Sequence, residues 1–369
     1  MDAMQTLNPP EPLEEIISVI HTKGGAGKSS LTTNMAYSLS CLGYRVLVID
    51  LDRQTGQSVG FGLGSVIRHN TNLQGADIGA VLRGEVGLTD AIIWGIYPNL
   101  DFVPAEESSL IRAENELAAL GIDGKVRLYE ILHACETRWD VVLIDTPGRK
   151  TDILEVALAA STGVLIPAIP EGGPVSELTS VLSQVERAKA AYGSVEVYGV
   201  IRMRVGGNSR YRRLAEEQTK EVADSFGIPV FKNKVPEDAK FGEAHLAREP
   251  IGVYSPSARS AVAFRFLADE LAARRSWPDR IISGEGGASG EASVAPIRGS
   301  LSSALDPVEE LIPNPAHEIA LGSGSGCASG GIENATTSPA EEQPQVLAPL
   351  KSPLLAPLAA SHGALHPGI

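Results

Sequence analysis

The chain has 369 residues and a formal charge of −14 at pH 7, which suffices for one large buried core and excludes bulk positive charge as a sign of nucleic-acid binding. Cys41, Cys135 and Cys327 are far apart and form no C-x-x-C pair, and the seven histidines show no metal spacing, so zinc and iron–sulfur ligand sets find no support. With no signal peptide and no run of about 20 apolar residues, we expect a cytoplasmic protein without membrane attachment.

Residues 1–13 are expected to be a short N-terminal extension, with no room before Glu14 for a helix-turn-helix module. Residues 14–275 alternate strand and helix patterns, which predicts a single α/β domain: a mostly parallel sheet with helices on both faces. The apolar run Ile16–Ile20 leads into Lys23-Gly-Gly-Ala-Gly-Lys-Ser-Ser30, a phosphate-binding loop. The ordinary pattern would place glycine at position 22, but Thr22 stands there and Lys23 precedes Gly24 and Gly25. Gly24, Gly25 and Gly27 keep side chains away from a turn of backbone N–H donors. The following helix, predicted over Ser29–Leu42, points its unpaired donors at the same place. Lys28 is a point charge for the β- and γ-phosphates, and the Ser29 hydroxyl is a hard ligand suited to Mg²⁺. Lys23 is either a solvated charge or a cation that acts on a second subunit's nucleotide.

Val46–Ile49 is a buried-strand run leading to Asp50-Leu-Asp52-Arg-Gln54. Two apart on a strand, Asp50 and Asp52 would point the same way; one could hold the metal shell and the other orient the attacking water, with Asp50 alone also readable as a turn cap. A third apolar strand ends at Asp145-Thr-Pro-Gly148, the Walker B arrangement, whose carboxylate would reach Mg²⁺ directly or through water. The set as a whole predicts a P-loop NTPase domain.

Further on, Arg202, Arg204, Arg210, Arg212 and Arg213 fall within twelve residues, followed by Lys220, Lys232, Lys234 and Lys240. This cluster is either a solvated face or a phosphate-contacting patch that would bind DNA without sequence preference. From 276 to 369 the chain carries 12 Gly, 11 Pro, ten acidic and three basic residues, which predicts a disordered acidic tail. Prolines recur through Val346–Leu358, so that stretch cannot form a basic amphipathic membrane helix.

Lys23-Gly-Gly-Ala-Gly-Lys-Ser, Asp50-x-Asp52-x-Gln54 and Asp145-Thr-Pro resemble the ParA/MinD group of deviant Walker ATPases, and ParA most. Ala80–Ile92, Asn99–Ala105, Ile166–Glu171, Val235–Ala244 and Tyr254–Ala261 extend the likeness over most of 14–275. The resemblance implies an ATP- and Mg²⁺-dependent homodimer in which Lys23 contacts the partner subunit's ATP and Gly24 packs at the interface. Gly24, Gly25, Ala26, Gly27, Lys28, Ser29, Ser30, Asp50, Gln54 and Asp145 would bind the nucleotide; Ser29, Asp52 and Asp145 would serve the metal; Asp52 would position the hydrolytic water. It further implies nonspecific DNA binding by the dimer through Arg210, Arg212, Arg213 and Lys240, hydrolysis stimulated by a ParB-like partner, and a cytoplasmic, nucleoid-associated protein that moves plasmid or chromosomal cargo. The same switch could instead position a flagellar, conjugative or other protein assembly; a metal- or anion-pump role would want paired nucleotide domains or clustered Cys and His. The chain departs from the pattern at Arg53, where proline is usual, at Pro147-Gly148-Arg149, and at Arg202-Met203, near the expected adenine position.

Overall fold

The computed structural model describes residues 14–54, 56–63, 76–136, 139–169, 174–193, 195–206 and 210–280, without the side chains of residues 58, 59, 174–176, 211 and 212. The N-terminal extension, the Arg212 side chain and the tail beyond 280 lie outside the described residues.

Seven strands form one sheet in the order β3-β4-β2-β5-β1-β6-β7. They are β1 (Glu15–Val19), β2 (Val46–Asp50), β3 (Ile93–Tyr97), β4 (Leu100–Val103), β5 (Val141–Asp145), β6 (Gly163–Ala168) and β7 (Glu196–Arg202). All pairings are parallel except the β3–β4 hairpin at one edge. β1, β2 and β5 are buried at every position, which is why β2 and β5 open on continuous apolar runs and β1 is mostly apolar, rather than alternating.

Eleven described helices accompany the sheet: α1 (Lys28–Cys41), α2 (Gly56–Gly60), α3 (Ile78–Leu82), α4 (Glu107–Ala119), α5 (Ile122–Ala134), α6 (Asp152–Ala160), α7 (Pro174–Tyr192), α8 (Arg210–Ser225), α9 (Ala239–Ala247), α10 (Ile251–Tyr254) and α11 (Arg259–Arg274). Successive strand residues serve opposite faces. Ile17, Val19, Val48 and Leu143 pack with Leu31, Met35, Phe264 and Leu267 of α1 and α11. Ile16, Leu47, Ile49 and Ile144 pack with α3, α4, α5 and α6 on the other face, where a further cluster joins β6 and β7 to α6, α7 and α8. The expected mostly parallel, two-faced α/β domain is thus what forms.

The packed chain runs past the sequence boundary at 275. Trp277 is buried against Tyr44, whose hydroxyl donates to the Pro278 carbonyl, and Arg280 pairs with Asp140 at 2.6 Å. Among the described residues no helix is long and apolar enough to cross a membrane.

Candidate functional site

The sheet order decides where the chemistry can occur. β2, β5 and β1 are adjacent, and the loops that leave their carboxyl ends carry the three motifs. Register aligns them: Val19 pairs with Asp145, and Asp145 with Asp50. Ligands of open α/β sheets sit at such carboxyl-terminal edges.

After β1 the loop turns through Gly25 and Gly27, both in the left-handed region with φ of 76° and 87°, where an L side chain would be strained. Gly27 caps α1, and Leu31 N–H closes its first turn onto the Gly27 carbonyl at 2.8 Å. The helix begins at Lys28, one residue before the expected start. Lys28 is buried, and a methyl group at residue 148 would meet its Nζ at 3.2 Å and Gly24 at 3.4 Å. Glycine at 148 therefore lets the loop after β5 lie against the loop after β1. These loops line a cleft of about 980 Å³ whose wall includes Gly24, Gly25, Gly27, Lys28, Ser29 and Ser30. The cleft continues past Asp52 and Gln54 to Arg149 and Lys150, and in the other direction to Phe241 and His245.

Asp50 and Asp52 do not share the role their spacing suggests. β2 ends at Asp50, and Asp52 lies in the turn that follows. Asp50 is fully buried and its carboxylate accepts from Asp52 N–H at 3.0 Å and Gln57 N–H at 3.2 Å. It shapes the turn, whereas Asp52 lines the cleft and accepts from Gln54 N–H at 3.1 Å. Asp145 is also fully buried; one oxygen takes the Gln57 amide at 3.0 Å, the Ser29 hydroxyl bonds the carboxylate, and among the described residues Oδ1 has no partner.

Burial pushes both carboxyls above the usual aspartate range. For Asp50 the facing Asp145 adds to burial; for Asp145 the Gln57 and Ser29 hydrogen bonds and Lys28 oppose it. Two buried carboxylates in register and one orphaned oxygen beside a serine hydroxyl make a hard oxygen donor set deficient in positive charge. That chemistry fits Mg²⁺. Among the described residues no group of three or more His, Cys, Asp or Glu is placed to hold a metal ion.

Gln57 is the residue the sequence reading missed. It is fully buried; Nε2 donates to the Ser29 carbonyl at 2.9 Å as well as to Asp145, and Oε1 accepts from Thr33 at 2.8 Å. Gly56 beside it leaves space for Ser29, because a Cβ there would sit 2.7 Å from Ser29 Oγ. No pattern in the sequence marks this glutamine; only the return of the turn onto α1 and β5 does.

Lys23 and Ala26 do not line the cleft. Lys23 Nζ pairs with Glu177 of α7 at 3.2 Å, and its N–H donates to His21 Nδ1 at 3.1 Å. His21 is buried, which lowers its pKa despite Glu177 nearby at 3.7 Å. It fastens this segment through the Lys23 N–H and Glu177.

The arginines divide. Arg210 and Arg213 are exposed on the first turns of α8 and Lys240 on α9, where it pairs with Glu243 at 2.7 Å. The Val205–Pro236 bridge and the approach of Gly206 to Glu237 hold the chain ahead of the two helices together. Arg202 belongs to neither the patch nor a base pocket: it is buried and donates to the Phe231 and Lys232 carbonyls at 2.9 and 3.0 Å. Met203 is buried too, beneath Gly27.

A mostly parallel sheet in which β1 feeds a glycine loop and helix, with aspartates ending β5 beside it and β2 one strand further along, defines a P-loop nucleotide-binding domain. A family model described as an AAA domain matches residues 14–194. The chain is 29% identical to the chromosome partitioning protein ParA of Caulobacter vibrioides over 262 residues, covering 70% of this chain and 94% of that one. It is 29% identical to the sporulation initiation inhibitor protein Soj of Bacillus subtilis over 264 residues, 70% of this chain and 98% of Soj. The solved structure of the septum site-determining protein MinD of Pyrococcus horikoshii, complexed with Mg-ADP, matches with a TM-score of 0.57 at 27% identity, covering 70% of this chain and 95% of MinD. Over about 70% of its length the chain is thus similar to ParA-type P-loop ATPases.

Proposed function

We propose that this protein is a partition-type switch that binds ATP with Mg²⁺, pairs with a second copy, holds nonspecific DNA and lets go on hydrolysis. The observation that carries the reading is the row Val19–Asp145–Asp50, which gathers Lys28, Ser29, Asp52 and an orphaned Asp145 oxygen at one edge of the sheet. Backbone donors from Gly24 to Ser30 and the Lys28 ammonium would hold the phosphates. Ser29 and Asp145, with Asp52 nearby, would hold Mg²⁺, which when bound offsets phosphate charge. Asp52, the accessible aspartate of its turn, would orient the attacking water. Gln57 holds Asp145 so that its free oxygen stays turned from the amide. Lys23 would leave Glu177 to meet the partner subunit's nucleotide, which makes pairing depend on ATP.

Arg210, Arg212, Arg213 and Lys240 would supply the DNA-contacting face, with salt-sensitive affinity. A ParB-like protein would speed hydrolysis, and the ATP-bound form would reside on the nucleoid within the cytoplasm. The test combines three measurements on the full chain with Mg²⁺: phosphate release from ATP, sizing with ATP, ADP or neither, and DNA retention. Slow turnover, an ATP-dependent dimer and retention lost in Arg210/Arg213→Ala support the reading. An ATP-dependent dimer that does not retain DNA would replace it with positioning of a protein assembly. A parent chain without ATP turnover, or Asp52→Ala turning over at the parent rate, would end it.

A further inference from the structure

The turn that carries Asp52 is joined to the loop after β5 by a side chain that belongs to neither. Glu114 sits in the middle of α4 and is buried. Its Oε2 accepts from the Arg53 guanidinium, one residue beyond Asp52. Its Oε1 accepts from Asp152 N–H at 3.0 Å, at the first residue of α6. Each carboxylate oxygen thus serves one of two loops that face each other across the cleft.

We infer that Glu114 is a positioning residue for Asp52 and that Arg53 is the arm through which it acts. The tip of the turn, whose base is tied to β5 by Leu51 N–H to the Asp145 carbonyl at 2.9 Å, is otherwise held among the described residues by short-range bonds: Asp52 N–H to Asp50, and Gln54 N–H to Asp52. Neither fixes the tip relative to the facing loop. The Arg53–Glu114 ion pair does, because α4 is packed into the core through Leu110, Ala113 and Leu117. On the other side Pro147, Gly148, Arg149, Lys150 and Thr151 line the cleft and run straight into Asp152. Lys125 of α5 secures that end a second time, through Asp152 and through Glu155 at 3.2 Å. A shift of the loop after β5 therefore reaches Asp52 through one buried carboxylate. The Arg53 guanidinium supplies the donor that makes this charged tether. A geometric error of about 1 Å at a water-orienting carboxylate costs on the order of 10²-fold in rate.

The inference rests on the proposed ATP hydrolysis. The experiment uses Arg53→Ala, Arg53→Lys, Glu114→Gln and the Arg53→Ala/Glu114→Gln double variant of the full chain. It reads kcat and KM for ATP, the Kd of a fluorescent ATP analogue with Mg²⁺, and thermal unfolding. Arg53→Ala and Glu114→Gln should each lower kcat about 10-fold and leave Kd within about twofold. The double variant should be no slower than the slower single one, as two members of one linkage require. Arg53→Lys, which keeps the charge, should recover part of the loss. Arg53 is partly exposed, so Arg53→Ala carries the test even where Glu114→Gln unfolds the buried site. An Arg53→Ala protein that melts with the parent and keeps its kcat would overturn the inference, as would independent losses that multiply in the double variant. No turnover by the parent would sink the proposed function along with it, whereas parent turnover with unaltered variants would sink this inference alone.

Discussion

The two ends of the parallel sheet treat buried carboxylates in opposite ways. At the amino end, Glu15 accepts from Tyr198 at 2.5 Å, Thr162 at 2.9 Å and Trp277 at 3.1 Å, and pairs with Arg275 at 3.1 Å. Burial would raise its pKa, but the hydrogen bonds and Arg275 outweigh burial and hold it below the usual glutamate range. At the carboxyl end, Asp50 and Asp145 stand in register, one Asp145 oxygen has no partner among the described residues, and both carboxyls are pushed upward. The first carboxylate is satisfied by the fold and fastens it. The second pair is left wanting positive charge, which is the mark of a site that gives up stability for function.

The largest effect expected at the carboxyl end is from Lys28→Ala. Phosphate release should fall by about 10²–10³-fold, since one preorganised charge at developing negative charge is worth that much, while urea unfolding changes far less. At the amino end the outcome reverses. Glu15→Gln should lower unfolding free energy by about 2 kcal/mol, the scale of a lost charged hydrogen-bond set, and leave nucleotide affinity unchanged.

The pH dependence separates the two ends further. Glu15 has a folded pKa below its unfolded value, so its stabilisation is fully present above that unfolded value and is lost as pH falls through the folded one. Urea unfolding of the parent and Glu15→Gln should therefore converge as pH drops below about 4.3, the ordinary glutamate value. Asp145 carries the opposite sign: its raised folded pKa makes ionisation costly once pH climbs past the ordinary aspartate value of about 3.9. Asp145→Asn should stabilise the nucleotide-free protein near pH 7 by about 1 kcal/mol, the scale of relieved functional-site strain, and lose that advantage at acid pH. Equal unfolding curves at pH 7 would show that Asp145 is no burden to the fold. Smallest of all, Glu177→Gln breaks the half-exposed Lys23 pair and should change stability by less than about 1 kcal/mol in the same assay.

Much of this architecture is legible in the chain. β1, β2 and β5 show as mostly apolar runs because both faces of each strand are covered, and the glycine loop shows because phosphates leave no room for side chains. The basic cluster was only partly legible. Arg202 reads as one more cation, yet it ends β7 and turns inward to two backbone carbonyls. The spacing of Asp50 and Asp52 also misled, since period-two alternation holds only while the strand lasts and β2 stops at Asp50.

By itself the sequence determined the strand–loop–helix start, the aspartates that end two strands and the class of ligand they suit. These depend on residue type and neighbours along the chain, where sterics and local hydrogen bonding act. The tertiary structure alone decided that Asp50 faces Asp145, that Gln57 binds Asp145, Ser29 and Thr33, and that Glu114 joins two loops. Those relations depend on strand order and helix packing, which bring together residues 24 to 95 positions apart through burial of surfaces that no local pattern records.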